Sequence, residues 1–596
     1  MELFLQYVTT ASKFILIVLS LSVIIRCLRS MLSERYESET WAYIRTPDGT
    51  VPVSHWENII GCSRSADIRI ASPGVGRVHA VLTRSDRGVW KIYDVFSRGG
   101  VWVNGLKVGG GGTLIQHGDV INLAGNCARF LDIGREQREQ LESARTTAGK
   151  RISPSLTLLE LTVFQLFLLM QHALSASADY LPSISLAFLT VMLLQWVCYN
   201  AMRLINRSGY EVETLSFYLT SLGLSVAASS TPEDMYKQIL LIIASVLLFL
   251  INGWWLRNLK RTAAMRIPVG VLALGLLALN IVTSEAVLGA KNWLQFGGYS
   301  FQPSELIKAA YIYVGASTLD RLYRKRNLFS FILFSAACVV ALALIGDFGT
   351  ALIFFVCFLV ISFMRSGSIA TIFLAVSGAG LAGFLAVSVK PYIAQRFATW
   401  GHAWEDVYNT GFQQTRAMSA AASGGLFGKG AGEGWLKDIF AANTDMVFAV
   451  VCEELGLIIA ICTVLAVLTL AFFAVRSARH GRSAYYAIAA CATMSMLLAQ
   501  LALNVFGSLD ILPFTGVTFP FVSRGGSSLL SCWLLMAFIK GSDNRRDASF
   551  AVRPGKRSRR EEERYEADEE SFDEDEYLYS GDEDEPEDDG GEGWAR

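Results

Sequence analysis

The sequence predicts a polytopic α-helical membrane protein of about thirteen transmembrane helices with a small β-sandwich on its cytoplasmic side. Three observations predict it. The 596 residues are 52% hydrophobic and 18% charged, with a mean hydropathy of +0.38, whereas soluble domains carry about 25% charged residues. Apolar stretches of about 17 to 25 residues, long enough to cross a bilayer as helix, recur along the chain. Between the first two lies a polar segment of short strands separated by Gly- and Asp-rich turns, the pattern of a β-sandwich.

The first apolar stretch, 3–25, has neither a basic leader nor a small-residue cleavage site, so residues 1–28 read as an uncleaved anchor. Arg26, Arg29 and Arg35 follow it and place its C-terminal end in the cytoplasm. The sandwich occupies 41–133, with strands at 41–46, 58–60, 68–70, 80–83, 90–94, 102–103 and 120–123. A linker, 134–153, leads to two spans at 154–174 and 181–201. Ten more form a core over 210–541: 212–230, 235–255, 266–284, 303–320, 327–345, 349–365, 370–390, 446–474, 485–508 and 520–540. Alternate loops are basic: Arg203 and Arg207; Arg257, Lys260 and Arg261; Arg321, Arg324, Lys325 and Arg326; Arg365; Arg476, Arg479 and Arg482; Arg545 and Arg546. The positive-inside rule then sets loops 285–302, 391–445 and 508–519, and the N-terminus, outside the cell.

Net charge is −1, from 52 basic and 53 acidic residues. That near-zero total is a cancellation. Residues 561–596 hold 19 acidic residues and two arginines, a net −17, and the rest of the chain carries +16. The tail, 542–596, is expected to be disordered. Its basic first part suits anionic lipid; its acidic part either keeps the tail solvated or meets a basic partner. The ten cysteines form no C-x-x-C pair and the six histidines are scattered. No disulfide framework or metal site is legible, and nothing points to nucleic acid.

Charges at membrane depth are costly and usually functional, and several sit on the outward side. One loop holds Gly289-Ala290-Lys291-Asn292-Trp293. The next helix opens Gln302-Pro303-Ser304-Glu305-Leu306-Ile307-Lys308. Gly346-Asp347-Phe348-Gly349-Thr350 begins another. The longest loop contains Gly411-Phe412-Gln413-Gln414-Thr415-Arg416 and Gly424-Gly425-Leu426-Phe427-Gly428-Lys429-Gly430. Thr444-Asp445-Met446-Val447-Phe448-Ala449 and Glu453-Glu454-Leu455-Gly456 follow, then Pro520-Phe521-Val522-Ser523-Arg524-Gly525-Gly526-Ser527-Ser528.

In this order these strings resemble the SEDS (shape, elongation, division and sporulation) family, the RodA and FtsW proteins, over 210–541. The resemblance implies a ten-helix core and a peptidoglycan glycosyltransferase of cell elongation or division. Such an enzyme polymerises lipid II at the outer face of the bacterial cytoplasmic membrane beside a class B penicillin-binding protein. The reaction joins a sugar 4-hydroxyl to an anomeric carbon and expels undecaprenyl pyrophosphate, which makes it inverting. A base should take the hydroxyl proton, and cations or amides should stabilise the leaving charge.

Asp445 matches the family's essential Asp and is the expected base; it also sits where a helix cap belongs. Lys291 could meet pyrophosphate. Trp293 could contact lipid or sugar, or anchor at the interface. Gln413, Lys429 and Ser523 are further substrate-binding candidates. Arg416 and Arg524, which depart from the family's usual Gln and Tyr, are candidate pyrophosphate ligands. Glu305 and Lys308 read as internal ion partners. Asp347 orients a cation, pairs with Lys308 or caps its helix. At least one of Glu453 and Glu454 lines a polar cavity. The Gly-rich stretches read as close helix packing rather than phosphate cradles. No cofactor is implied, a divalent cation being the one candidate.

The sandwich resembles the forkhead-associated (FHA) domain through Ile60-Gly61-Cys62-Ser63, Arg77-Val78-His79, Asp94-Val95-Phe96-Ser97 and Val103-Asn104-Gly105. That family binds phosphothreonine peptides. Here Cys62, Gly76 and Gly99 stand where it usually has Arg, Ser and Asn. Arg64, Arg77 and His79 are the remaining candidates for a phosphopeptide, and His79 reads as a structural turn residue. The module is expected to dock a cytoplasmic regulator. Two other function classes compete: a transporter flipping a lipid-linked sugar, and an inactive scaffold recruited through the sandwich.

Overall fold

The structure is a computed structural model. It describes residues 2–33, 40–47, 49–63, 66–85, 88–95, 97–134, 137, 141, 152–205, 207–284, 292–296, 299–319, 325–366, 369–389, 391–545 and 548–551. Lys291, Arg64, most of the 134–153 linker and the tail beyond 551 lie outside these residues.

A long apolar helix, α1 (Glu2–Ser33), enters the sandwich. Eleven strands follow: β1 (Ala42–Thr46), β2 (Gly49–Val53), β3 (Glu57–Gly61), β4 (Ile68–Arg69), β5 (Ala80–Arg84), β6 (Trp90–Asp94), β7 (Val101–Val103), β8 (Leu106–Lys107), β9 (Thr113–Ile115), β10 (Val120–Leu123) and β11 (Asn126–Asp132). They form one sheet ordered β2-β1-β11-β10-β7-β8 and another ordered β4-β3-β5-β6-β9. Alternation drives the pairing: Ile44, Ile121, Phe130, Leu82 and Ile92 point inward and are fully buried, and Trp90 meets Phe130 edge-on at 5.3 Å.

The helices that follow are α2 (Pro154–Ser175), α3 (Leu181–Leu204), α4 (Glu211–Ser230), α5 (Met235–Leu256), the short α6 (Leu259–Ala264) and α7 (Arg266–Thr283). A hairpin, β12 (Leu294–Phe296) and β13 (Tyr299–Phe301), leads to α8 (Pro303–Leu319), α9 (Lys325–Ile345), α10 (Phe348–Ser366) and α11 (Ile369–Val389). The last are α12 (Pro391–Thr399), α13 (Phe412–Gly424), α14 (Ala442–Asp445), α15 (Val447–Leu455), α16 (Leu457–Arg479), α17 (Ala484–Ser508) and α18 (Gly526–Ser542).

Among the described residues, seven helices are long and apolar enough to cross a membrane. Other expected spans are shorter, or more polar because protein surrounds them. In α4, every residue from Glu211 to Ala228 is buried. Polar side chains latch α2 and α3 onto it: Gln165 donates to Gln195 at 2.9 Å and to Ser221 at 2.8 Å, and His172 meets Ser225 at 2.9 Å. Two expected boundaries are corrected. The span 446–474 is broken at Gly456, whose φ of +92° ends α15 and turns the chain into α16. The last span starts at Gly526, not 520, because 509–525 folds back as a loop.

The sandwich docks on the turn between α16 and α17. Trp56 N–H donates to Arg482 O at 2.6 Å, and His55 Nδ1 meets Gly481 O at 2.6 Å. The Glu57 carboxylate accepts Ser483 Oγ and Ala484 N–H, both at 3.0 Å, which supplies acceptors for the first turn of α17. At the other end of α17, about 37 Å away by helical rise, lies the candidate site. The sandwich and the site therefore occupy opposite ends of the bundle.

Candidate functional site

The site is built around one turn. Ala441 adopts a left-handed backbone, φ +59°, and α14 follows for four residues, ending at Asp445. Three residues from two elements brace it. Ser523 Oγ donates to Thr444 O at 2.5 Å and accepts Phe519 N–H at 2.7 Å. Arg524 N–H donates to Asn443 O at 2.8 Å. From α17, Asn504 Nδ2 donates to Asp445 O at 3.0 Å and to Val517 O at 2.8 Å. The 509–525 loop is thus pinned against the turn. Gly516, φ +67°, passes the Asp445 carboxylate so closely that a Cβ would lie 3.1 Å from Oδ2, which requires glycine there.

Next to Gly516, Thr515 O accepts Arg396 Nη1 at 3.3 Å. Arg396 comes from the amphipathic α12 and is exposed. Burial pushes the half-buried Asp445 carboxyl up to about 6; the Thr444 hydroxyl and the Arg396 guanidinium pull it down, and the Asp347 carboxylate pushes it up. Burial also raises Asp347, which caps α10 by accepting Thr350 N–H at 2.9 Å. Of the readings open for Asp347, the cap is observed, since the ion partner of Lys308 is Glu305 at 2.8 Å. Both members of that pair are buried, as expected. Lys308 also donates to Gln500 at 3.0 Å, and Gln500 to Thr518 at 2.7 Å. This polar chain ties α8 to α17 and the loop. Buried Asn504 Oδ1 and Thr515 Oγ1 have no hydrogen-bond partner among the described residues, so the turn keeps acceptor and donor capacity for substrate or water.

The structure corrects several expectations. Glu453 and Glu454 are 0% and 2% exposed and are bonded by the Gly-rich loop, while Glu454 Oε1 has no hydrogen-bond partner among the described residues. Glu453 accepts Trp435 N–H at 3.1 Å and Leu436 N–H at 3.0 Å, and Glu454 accepts Gly432 N–H at 3.0 Å and Ser229 Oγ at 2.7 Å. Lys429 is the ion partner of Glu453 at 2.7 Å. Arg524 is paired with Asp234, so its charge is neutralised locally. Ser523 is a brace. The Gly424 and Gly428 backbones lie directly against Cys452–Gly456, which confirms close packing. Gln413 reaches Phe440 O at 3.2 Å, Arg416 lies over the Phe412 ring at 5.3 Å, and Trp293 is 36% exposed; none of these contacts Asp445.

In the sandwich, His79 is fully buried. Its Nδ1 accepts Gly76 N–H at 3.0 Å, so Nε2 carries the proton to Gly100 O at 3.1 Å. Both ring nitrogens are occupied and His79 holds the turn together. Arg77 is exposed. The loops on either side of β4 and after β6 lie at the end of the sandwich away from His55–Glu57, because β3 runs from the docked end to them.

Sequence reasoning missed Arg396, Asn504 and Asp234. Arg396 carried a signal: a cation in a loop assigned outward, against the charge rule that oriented the chain. Among the described residues no group of three or more His, Cys, Asp or Glu side chains could hold a metal ion; the two neighbouring carboxylates, Asp347 and Asp445, fall short of such a set.

The family model of FtsW, RodA and SpoVE cell cycle proteins matches residues 216–546, and the FHA domain model matches 58–124. The chain is 30% identical over 358 residues to the probable peptidoglycan glycosyltransferase FtsW of Tolumonas auensis, covering 57% of this chain and 93% of the relative. It is 34% identical over 290 residues to the protein of the same name from Geobacter metallireducens, covering 45% and 74%. Stage V sporulation protein E of Bacillus subtilis is 32% identical over 253 residues, covering 40% and 68%. A solved structure of RodA from Thermus thermophilus is 23% identical, with a TM-score of 0.42, over 56% of this chain and 95% of that one.

Proposed function

The chain belongs to the FtsW, RodA and SpoVE family of cell cycle proteins, and from that premise we propose that it polymerises lipid II with Asp445 as general base. It is a multi-pass membrane glycosyltransferase with an FHA domain near its N-terminus. The observation that carries the residue assignment is the Asp445 turn: a half-buried carboxyl raised to about 6, backbone-braced on three sides, with one guanidinium beside it.

At neutral pH Asp445 is ionised yet retains basicity, the balance a general base needs. It takes the proton from the acceptor sugar's 4-hydroxyl as that oxygen bonds the donor's anomeric carbon. The bond from that carbon to the pyrophosphate oxygen breaks, and the electron pair leaves with undecaprenyl pyrophosphate. Arg396 stabilises the charge growing on the pyrophosphate and Thr515 O holds its guanidinium in place. Lys291 and Arg416 are secondary candidates for the lipid-linked phosphates.

The site end faces the outside of the cytoplasmic membrane and the sandwich end faces the cytoplasm, as the basic loops require. A class B penicillin-binding protein acts beside it, and the FHA domain receives a cytoplasmic regulator. Purified full-length protein with labelled lipid II, with and without that partner, tests the reading. Asp445→Ala should abolish polymerisation. Polymerisation intact with flipping lost would favour a transporter, and neither affected would favour a scaffold.

A further inference from the structure

We propose that Lys13, on the N-terminal helix α1, is a positioning residue that clamps the Gly-rich loop leading into the Asp445 turn. The inference rests on the polymerase reading for its activity readout only.

The loop between α13 and α14 lacks rigidity of its own. Gly428, Gly430 and Gly432 all have positive φ, at +74°, +126° and +83°. Its inner side is held: Lys429 N–H and Gly430 N–H donate to the carbonyls of Glu453 and Glu454 at 2.9 and 2.8 Å, beside the carboxylate contacts described above. Its outer side is held by α1 and α2, two helices that lie outside the segment matching the family model. Lys13 Nζ donates to Gly428 O at 2.9 Å and to Lys429 O at 2.8 Å. Phe14 packs on Phe427, ring centroids 4.9 Å apart. Gln171 accepts Ala431 N–H at 3.0 Å and donates to Ser12 at 2.8 Å; Ser175 donates to Ala431 O at 2.8 Å.

A lysine within a membrane-spanning helix is expensive, and an ammonium has three donors to offer unpaired carbonyls. Lys13 supplies two carbonyls of one loop at once. Past the clamp the chain runs through Trp435 and Leu436, fixed on Glu453, to Ile439, Ala442 and Asp445. Asp445 thus sits between two fixed points, the clamped loop and α15. The N-terminal helices are therefore part of the site's scaffold as well as an anchor for the sandwich.

The test uses full-length protein carrying Lys13→Met, which keeps length and suits a membrane helix, and Lys13→Arg, which keeps the donors. Hydrogen exchange over 426–434 and lipid II polymerisation are read together. For Lys13→Met we expect faster exchange in that loop and a kcat reduced about tenfold with KM within about twofold, as misplacement of a reacting group predicts. Lys13→Arg should restore both to within about threefold, since it keeps the donors. Unchanged exchange in Lys13→Met, or wild-type kcat despite faster exchange, overturns the proposal. Wild-type protein that polymerises nothing would instead defeat the polymerase reading, and the exchange result would still decide the clamp.

Discussion

Asp445 and the Glu453–Glu454 pair lie within ten residues of one another, at the two ends of α15, yet the fold treats them oppositely. Glu453 and Glu454 are fully enclosed and bonded by Lys429, Ser229 and three backbone N–H groups of one loop. Asp445 is half-buried, is held through its backbone, and has a guanidinium nearby that is anchored to another group. What separates them here is the way they are held: the glutamates through their carboxylates, Asp445 through its backbone carbonyl.

The largest expected effect comes from breaking the chemical side. Asp445→Asn should lower lipid II polymerisation about 1,000-fold, the scale of a lost general base. It should not lower thermal stability. A carboxyl raised by folding contributes stability below its unfolded value near 4, and that contribution is lost as pH rises through about 6; the neutral amide avoids that loss at pH 7. Glu453→Gln should do the reverse. Removing the buried charge that faces the partly exposed Lys429 and two N–H groups should cost about 3 kcal/mol of stability, read as a lower unfolding midpoint, with KM unchanged in the protein that remains folded.

Arg396→Gln sharpens the comparison. Arg396 lowers the Asp445 pKa, so its loss should move the rising limb of the pH–rate profile above 6 and slow polymerisation about tenfold at neutral pH, as removal of leaving-group charge stabilisation predicts. Asp347 acts in the opposite direction, and Asp347→Asn should move the limb down. The smallest effect is expected at the far end: Glu57→Gln should weaken the first turn of α17 by about 1 kcal/mol, seen as faster exchange at 484–487, with polymerisation within about twofold.

The sandwich was legible because it rests on local information, alternation within strands. The partners of Glu453 and Glu454 were not legible, because they are Lys429 and N–H groups of a loop that folds back on them, which no spacing along the chain reveals. The break at Gly456 was hidden inside a stretch read as one span, although Glu453 and Glu454 interrupt its apolar run just before it. Strands β2, β8, β9 and β11 escaped notice; β8 and β9 are only two and three residues long, and β2 carries a Gly and a Pro. Arg524 and Arg396 show both outcomes for a cation near the Asp445 turn: one has its own acid, Asp234, and the other is held by the Thr515 carbonyl.

The pH dependence of single-turnover lipid II polymerisation by the purified full-length protein tests the central claim most directly. The rate should rise with pH along a limb centred near 6, and Asp445→Asn should remove both that limb and nearly all of the rate. A wild-type limb in the Asn variant, or an unchanged rate, would contradict the assignment of Asp445 as the base.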